Sequence, residues 1–339
     1  MCMNEMHTAS HWSAKKGNYV ECGLCPHHCS IPEGGVGICG VRKNVGGELG
    51  AIGYGIYPAV HMDPIEKKPL NHFLPGSSIL SLGSVGCNLR CRHCQNWSLA
   101  RASPDGLDEN FLPVKDLLGM SSRDGSIGVA FTYNEPSINF EYIMEAAPAL
   151  RKKGSNVVLV TNGYLEKGPW RELMEHTDGA NIDVKGFTEE FYSQIAGGRL
   201  QPVLDNVRTA FEMGVHIEIA YLVIPGYNDD DEQIEGFVRF MVEKVSPDVP
   251  VHFNRFHPDH LMLDVPSTPV STLVSIREKA REGGMNHVFI GNVAGKEFND
   301  TICPGCGKTV IKRGWFSATS YVKNGKCRWC GRKIYGKWT

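Results

Sequence analysis

The chain has 339 residues, 42% of them hydrophobic and 21% charged, with a formal charge of -2. That is enough for one large core with small appendages, and it gives no global attraction to nucleic acid or membrane. The longest purely apolar runs are a few residues, such as VVLV at 157–160, far short of the roughly 20 a membrane span needs.

The start, MCMNEMHTASHW, lacks the basic-then-apolar layout of a signal peptide. A cytoplasmic location is therefore expected, where cysteines stay reduced. Residues 1–20 are polar and expected to be loose. From Glu21 to about Val60 glycine is dense, as in IPEGGVGICGVRKNVGGELGAIGYG, which suits tight loops around a metal better than a helix. Residues 1–60 thus read as a loop-rich N-terminal module. Its Cys22, Cys25, Cys29 and Cys39 could hold either a zinc ion or an iron–sulfur cluster.

Short apolar runs then alternate with amphipathic stretches. The predicted strands are ILSLGS at 79–84, IGVAF at 127–131, NVVLVT at 156–161 and GANIDV at 179–184, followed by VHIEIAYLVI at 215–224, VHFNRF at 251–256 and HVFIGN at 287–292. The clearest helix carries Ile234, Phe237, Val238, Met241, Val242 and Val245 on one stripe. NDDDE at 228–232 puts carboxylates in its first turn, where the helix dipole favours them, a better reading than a cation site. Such alternation implies an α/β fold with a parallel sheet over residues 61–297, either doubly wound or a full or partial (β/α) barrel.

In a barrel, reactive groups sit just past the carboxyl ends of the strands. There the sequence places the Cys87 loop, Glu135 in TYNEP, Asn162, Asp183 and Lys185, PGYND at 225–229, His257 and Asn292. Each alone would be an ordinary loop residue, and Asp183 with Lys185 could be a plain ion pair. Their recurrence along one edge points to a site.

Residues 298–339 read as a second small module. Cys303-x2-Cys306 and Cys327-x2-Cys330, twenty residues apart, have the layout of a zinc ribbon, in which four thiolates fill a tetrahedral ion. A stretch this short needs such a staple. From Thr301 to Thr339 there are nine Lys or Arg and no Asp or Glu, interleaved with Trp315, Phe316, Tyr321, Trp329, Tyr335 and Trp338. This is the composition of a nucleic-acid or anionic-partner surface, or of a ribbon whose aromatics pack beneath it.

Eleven of the twelve cysteines thus fall in three groups, with Cys2 apart. The middle group, Cys87-x3-Cys91-x2-Cys94, has three thiolates. A structural zinc and a four-iron cube both offer four positions, so one is left open. Zinc with three thiolates is the alternative, but neither His93 nor another neighbour completes a catalytic zinc set.

Cys87-x3-Cys91-x2-Cys94 resembles the signature of the radical S-adenosylmethionine superfamily, and CNLRCRHCQNW resembles the cysteine loop of its activating-enzyme branch. The resemblance implies a full or partial (β/α) barrel and a [4Fe–4S] cluster on the three cysteines, whose open iron binds the amino and carboxylate groups of S-adenosylmethionine. It also implies reductive cleavage of the sulfonium with an electron from a low-potential donor. The products are methionine and a 5′-deoxyadenosyl radical, which abstracts a hydrogen atom. His93 stands where that branch commonly has an aromatic residue.

TYNEP resembles the branch's Gly-Gly-Glu element, so Glu135 would meet the methionine amino group, with Asn134 in place of a glycine. DVK resembles its Asp-x-Lys element, so Asp183 and Lys185 would meet ribose and carboxylate. NRFHP and LVIPGYNDD resemble its adenosine segments, with His257 near the adenosine. An acceptor suits an ammonium and a donor suits a carboxylate. From about residue 21 to the end, ECGLCPHHCSIPEGGVGICGVR, the stretch around GYGIYPAVHMDPIEKKPLNHFLPG and CPGCG…CRWCG resemble the AmmeMemoRadiSam-system radical enzymes. That likeness implies AMMECR-type and Memo-type partner proteins and leaves the substrate open. A glycyl-radical activating enzyme of the pyruvate formate-lyase kind is an alternative. A non-catalytic metal–ribbon scaffold or electron carrier is another, and Glu135, Asp183, Lys185 and His257 at the matching places weigh against it.

Overall fold

In the computed structural model, residues 6–293, 298–314 and 317–339 are described. Cys2, Trp315, Phe316 and the expected module boundary at 297/298 lie outside the described residues. No described helix is long and apolar enough to cross a membrane.

The main sheet forms where β-branched and large apolar residues run consecutively. Val157, Val158 and Leu159 are all fully buried, which requires both faces of their strand to be covered. The strands are β1 (Ala59–Pro64), β2 (Ser78–Gly83), β3 (Ser126–Phe131), β4 (Asn156–Thr161), β5 (Gly179–Asp183), β6 (His216–Val223), β7 (Val251–Arg255) and β8 (Val288–Gly291). They lie side by side in chain order. β2 to β8 are parallel, with pairs such as Ile182 beside Ile219 and Tyr221 beside Phe253. β1 runs antiparallel to β2 at the edge. The two edge strands do not pair with each other among the described residues, so the barrel is partial.

All seven predicted strands are present. β1 is an addition: three consecutive exposed residues, Val60, His61 and Met62, with a histidine between the apolar ones, hide the strand from a search for apolar runs, and it straddles the expected boundary at residue 60.

The crossovers are α1 (Val114–Met120), α2 (Phe140–Lys152), α3 (Lys167–Glu175), α4 (Leu200–Glu212), α5 (Asp231–Phe240) and α6 (Val270–Glu282). In α5 the predicted stripe is buried at Ile234, Phe237 and Val238. The stripe continues through Met241 in a single π turn, Met241–Val245. The acidic run serves the helix start: Asp230 accepts a hydrogen bond from the Gln233 N–H at 3.0 Å.

Residues 7–20 are not loose, contrary to expectation. Trp12–Ala14 pairs with Val20–Cys22, and the His7 carbonyl accepts from the Ala51 N–H. The cysteine module supplies backbone partners that a polar segment alone does not reveal. Within that module Arg42–Val45 and Glu48–Ala51 form a hairpin. Gly46 and Gly47 both have positive φ in its turn, the conformation a tight two-residue hairpin loop needs.

The tail docks against the amino ends of the strands. Tyr335 stacks on His216, and its hydroxyl accepts from the Ile217 N–H at 2.9 Å. Trp338 packs near His72, and the Arg313 guanidinium donates to Asn71 O. Part of the tail's basic and aromatic composition is thus spent on docking. The fully buried Glu218 closes this interface, accepting from the backbone of Asn71 (2.9 Å) and His72 (2.6 Å) and from His216 (3.1 Å) and His252 (2.7 Å).

Candidate active site

At the opposite end of the sheet, the carboxyl ends of the strands enclose a cavity of about 530 Å³. The loop after β2 contributes Cys87, Cys91 and Cys94, and the ends of β3 to β5 contribute Asn134, Glu135, Asn162, Asp183 and Lys185. Asn254 of β7 and Asn292 after β8 complete the far wall. His257 does not line the cavity. It is exposed beyond β7, and its own neighbour's carbonyl is its hydrogen-bond partner, at 3.4 Å.

Two of these residues spend most of their hydrogen bonds on the protein itself. The Glu135 carboxylate caps the turn at Pro136–Asn139 through the Ser137 N–H (2.9 Å) and accepts from the Thr161 hydroxyl (2.7 Å) and the Asn162 N–H (2.6 Å). Oε1 takes two of these bonds and Oε2 one, which leaves one acceptor position on Oε2. Burial pushes Glu135 above the usual carboxylate range, while these three donors pull the other way. Asn134 donates to the Ser84 hydroxyl and Gly86 O, both at 2.9 Å, and accepts from the Ser84 N–H at 3.1 Å. It therefore pins the start of the cysteine loop to the end of β3.

Asn162 links these parts. Its amide donates to Asn88 Oδ1 at 2.8 Å and lies 3.8 Å from the Cys87 sulfur, while the Leu89 N–H donates to that sulfur at 3.4 Å. Cys87 is pushed up by burial, with the Glu135 charge adding; Cys91 is pushed up to about 11, again by burial. Bare thiols thus resist ionisation here, and a bound cationic centre would supply the missing positive charge. Asp183 and Lys185 form a half-buried ion pair at 2.8 Å. Burial works against the lysine's charge, but the Asp183 carboxylate beside it outweighs this and raises its proton affinity.

The site includes charged residues that strand-end reasoning overlooks. Lys67 and Lys68 line the cavity from the segment after β1. Asp63 binds Lys67 (2.9 Å) and Lys68 (2.6 Å) and accepts from the Tyr133 hydroxyl (2.6 Å). Tyr133 itself has φ 71, a strained value for a bulky residue, which fits a position over-determined by its surroundings. The dense charge of DPIEKK beside an apolar core was the available signal.

The three cysteine groups differ in geometry. The sulfurs of Cys303, Cys306, Cys327 and Cys330 all lie within 4.8 Å of one another. Cys303–Cys330 is 3.6 Å and Cys306–Cys327 3.8 Å, against about 3.8 Å between thiolates on one tetrahedral zinc. Neither of the other two groups gathers three sulfurs that tightly. A four-iron cube holds each thiolate on a separate iron and spreads them wider than one ion does. Three thiols on a cavity wall, Cys91 buried and Cys87 and Cys94 half-buried, with N–H donors to the Cys87 sulfur and no fourth cysteine in the lining, fit such a cube with one corner left open.

Comparison with known proteins agrees with this geometry. The model of the Radical SAM superfamily matches residues 82–238. An uncharacterized protein of Methanocaldococcus jannaschii is 38% identical over 332 residues, covering 97% of this chain and 99% of its own. The pyruvate formate-lyase-activating enzyme of Clostridium pasteurianum is 26% identical over 168 residues, 47% of this chain and 70% of its own. Among solved structures, Streptococcus suis SuiB bound to S-adenosylmethionine shares the fold, with a TM-score of 0.51 at 16% identity over 68% of this chain and 53% of that one. With the cysteine loop, the parallel sheet and these relatives in agreement, the chain belongs to the radical S-adenosylmethionine superfamily, on its activating-enzyme-like branch, and is an enzyme of that class.

Proposed function

We propose that Cys87, Cys91 and Cys94 hold a [4Fe–4S] cluster with one iron left for S-adenosylmethionine, and that the adjoining cavity seats that molecule and the substrate's reactive hydrogen. The observation that carries this reading is the meeting of three thiols and the Asp183–Lys185 pair on one cavity wall. When bound, such a cluster would pass on an electron from an external low-potential donor, and so would supply reductive cleavage of the sulfonium and hydrogen-atom abstraction from substrate.

The chain's own residues bind and orient. Lys185, held protonated beside Asp183, presents donors to a carboxylate, and Asp183 presents an acceptor to ribose hydroxyls. Glu135 has one acceptor position to offer an ammonium, while Asn134 holds the cysteine loop against β3. His257 serves the adenosine only from outside the present cavity wall. The ribbon cysteines hold zinc as a structural staple, as their spacing supports. The reducing cytoplasm is the place where all these thiols stay available.

The substrate is presented by a partner protein, with the AMMECR-type and Memo-type proteins as candidates from the sequence resemblance. Exposed Leu261 and Leu263 support a protein partner. They stand in the loop after β7, which bonds to Arg92 of the cysteine loop, so an apolar surface borders the site. Lys308, Arg328 and Trp329 remain together on the ribbon and support an anionic partner such as single-stranded RNA, which filter binding across a salt series would test.

The decisive experiment is anaerobic reconstitution with iron and sulfide, reduction with dithionite in the presence of S-adenosylmethionine, and measurement of 5′-deoxyadenosine. Wild type should form it and Cys91→Ala should not. Wild-type protein that binds the cluster yet forms none would overturn the reading.

A further inference from the structure

We propose that Cys22, Cys25, Cys29 and Cys39 form a second iron–sulfur site, set directly against the cysteine loop of the cavity. The sequence admits either zinc or a cluster for this group, with a structural metal slightly favoured. The structure separates them by sulfur spacing, and an adjacent cation and the position of the group are compatible with a cluster.

Backbone pairing draws the group together: the Cys22 N–H donates to Cys29 O at 3.0 Å, beside the antiparallel pair Glu21–Ser30. Yet no three of their sulfurs lie within 4.8 Å of one another, whereas the ribbon sulfurs in the same molecule do. A zinc staple would draw these thiolates to about 3.8 Å, close to the 3.6 and 3.8 Å of two sulfur pairs in the ribbon. A set that converges without closing that far matches a multi-iron centre.

Arg42 is the second observation. Its side chain is 1% exposed, and its Nη1 lies 3.8 Å from the Cys22 sulfur. Glu141 and Ser10 O take two of its donors, while its buried Nε has no partner among the described residues. A buried guanidinium with a donor to spare beside four thiols suits an anionic cluster, whose potential is set by such hydrogen bonds and charges.

Position is the third. The Cys39 carbonyl accepts from the Cys87 N–H at 3.2 Å. The contact depends on Gly86, whose φ is +85 and where a Cβ would stand 2.4 Å from Cys39 O. His27 bonds to Asn88 O at 2.7 Å on the same side. A single backbone hydrogen bond therefore joins a candidate ligand of one centre to a candidate ligand of the other. The four-cysteine site stands without the radical reading; the nearness of two clusters rests on it.

The test uses full-length Cys91→Ala, reconstituted anaerobically with iron and sulfide. We expect about four irons per chain and the Mössbauer signature of a [4Fe–4S] centre, against about eight irons in wild type. Cys25→Ser should retain only the inner set. If Cys25→Ser does not fold, the wild-type iron count and the Cys91→Ala spectrum still decide. Two zinc ions and no iron in Cys91→Ala would overturn the proposal. A Cys25→Ser protein that folds but binds no iron, beside an iron-loaded Cys91→Ala, would instead sink the cavity reading and leave this one standing. In dithionite-reduced wild type, the electron paramagnetic resonance signal should be broadened by coupling between the two centres. A spectrum equal to the sum of the two single-site variants would refute their adjacency.

Discussion

Glu135→Gln separates a brace from a ligand. The carboxylate accepts three internal hydrogen bonds, all from donors: the Ser137 N–H, the Thr161 hydroxyl and the Asn162 N–H. A glutamine has one acceptor oxygen. If that oxygen keeps the two bonds on the Oε1 side, its NH2 faces the Asn162 N–H, and one buried donor loses its partner. Such a loss costs about 1–3 kcal/mol. For 339 residues the unfolding entropy corresponds to about 1.4 °C per kcal/mol, so the melting temperature of the metal-free, reduced protein should fall by about 1–4 °C. Thermal circular dichroism of wild type and variant under the same conditions reads it. S-adenosylmethionine affinity gives the second readout. If Oε2 also receives the ammonium, loss of that charged bond, about 1.5–3 kcal/mol, weakens binding by about ten- to a hundredfold. An unchanged or raised melting temperature would show that Glu135 does not hold Asn162 and the cysteine loop as argued.

Gly86→Ala should lower the melting temperature by about 3–7 °C. A left-handed residue with a Cβ costs about 1–2 kcal/mol, and overlap with Cys39 O adds about 1–3 kcal/mol. Gly106→Ala, at φ +78 with nothing near its Cβ, is the control and should lose only the first part. Glu218 predicts an acid-side loss. Burial alone would raise it, but hydrogen bonds and charge from His216 and His252 hold it well below the usual carboxylate range. Its folded value is thus depressed, so its stabilisation is full above the ordinary pKa of about 4.3 and fades as pH falls below it. The melting gap between wild type and Glu218→Gln, measured on metal-free protein, should narrow below pH of about 4; a gap constant with pH would contradict this. If the ribbon cysteines hold a metal as proposed, its chelation should speed hydrogen exchange at Ile217, whose N–H depends on Tyr335 of the docked tail, and unchanged exchange would mean the tail docks without one.

What the sequence by itself determined is local. Seven strands follow from runs such as Val157 to Leu159, because a strand covered on both faces must be apolar throughout. The grouping of the ribbon cysteines was legible in two x2 spacings, and that of the cavity's thiols in one x3 and one x2 spacing, because neighbours that close on a short loop lie within reach of one centre. The tertiary structure decided which polar groups meet. Arg42 and Glu141 are 99 residues apart, and Tyr133 and Asp63 are 70 apart. It also spent the Glu135 and Asn134 side chains on bracing, left His257 outside the wall and pressed Cys39 against Cys87 through a glycine. Periodicity reports only that a residue is buried. The partner that satisfies a buried charge or donor is set by how distant segments pack, and no spacing along the chain encodes it.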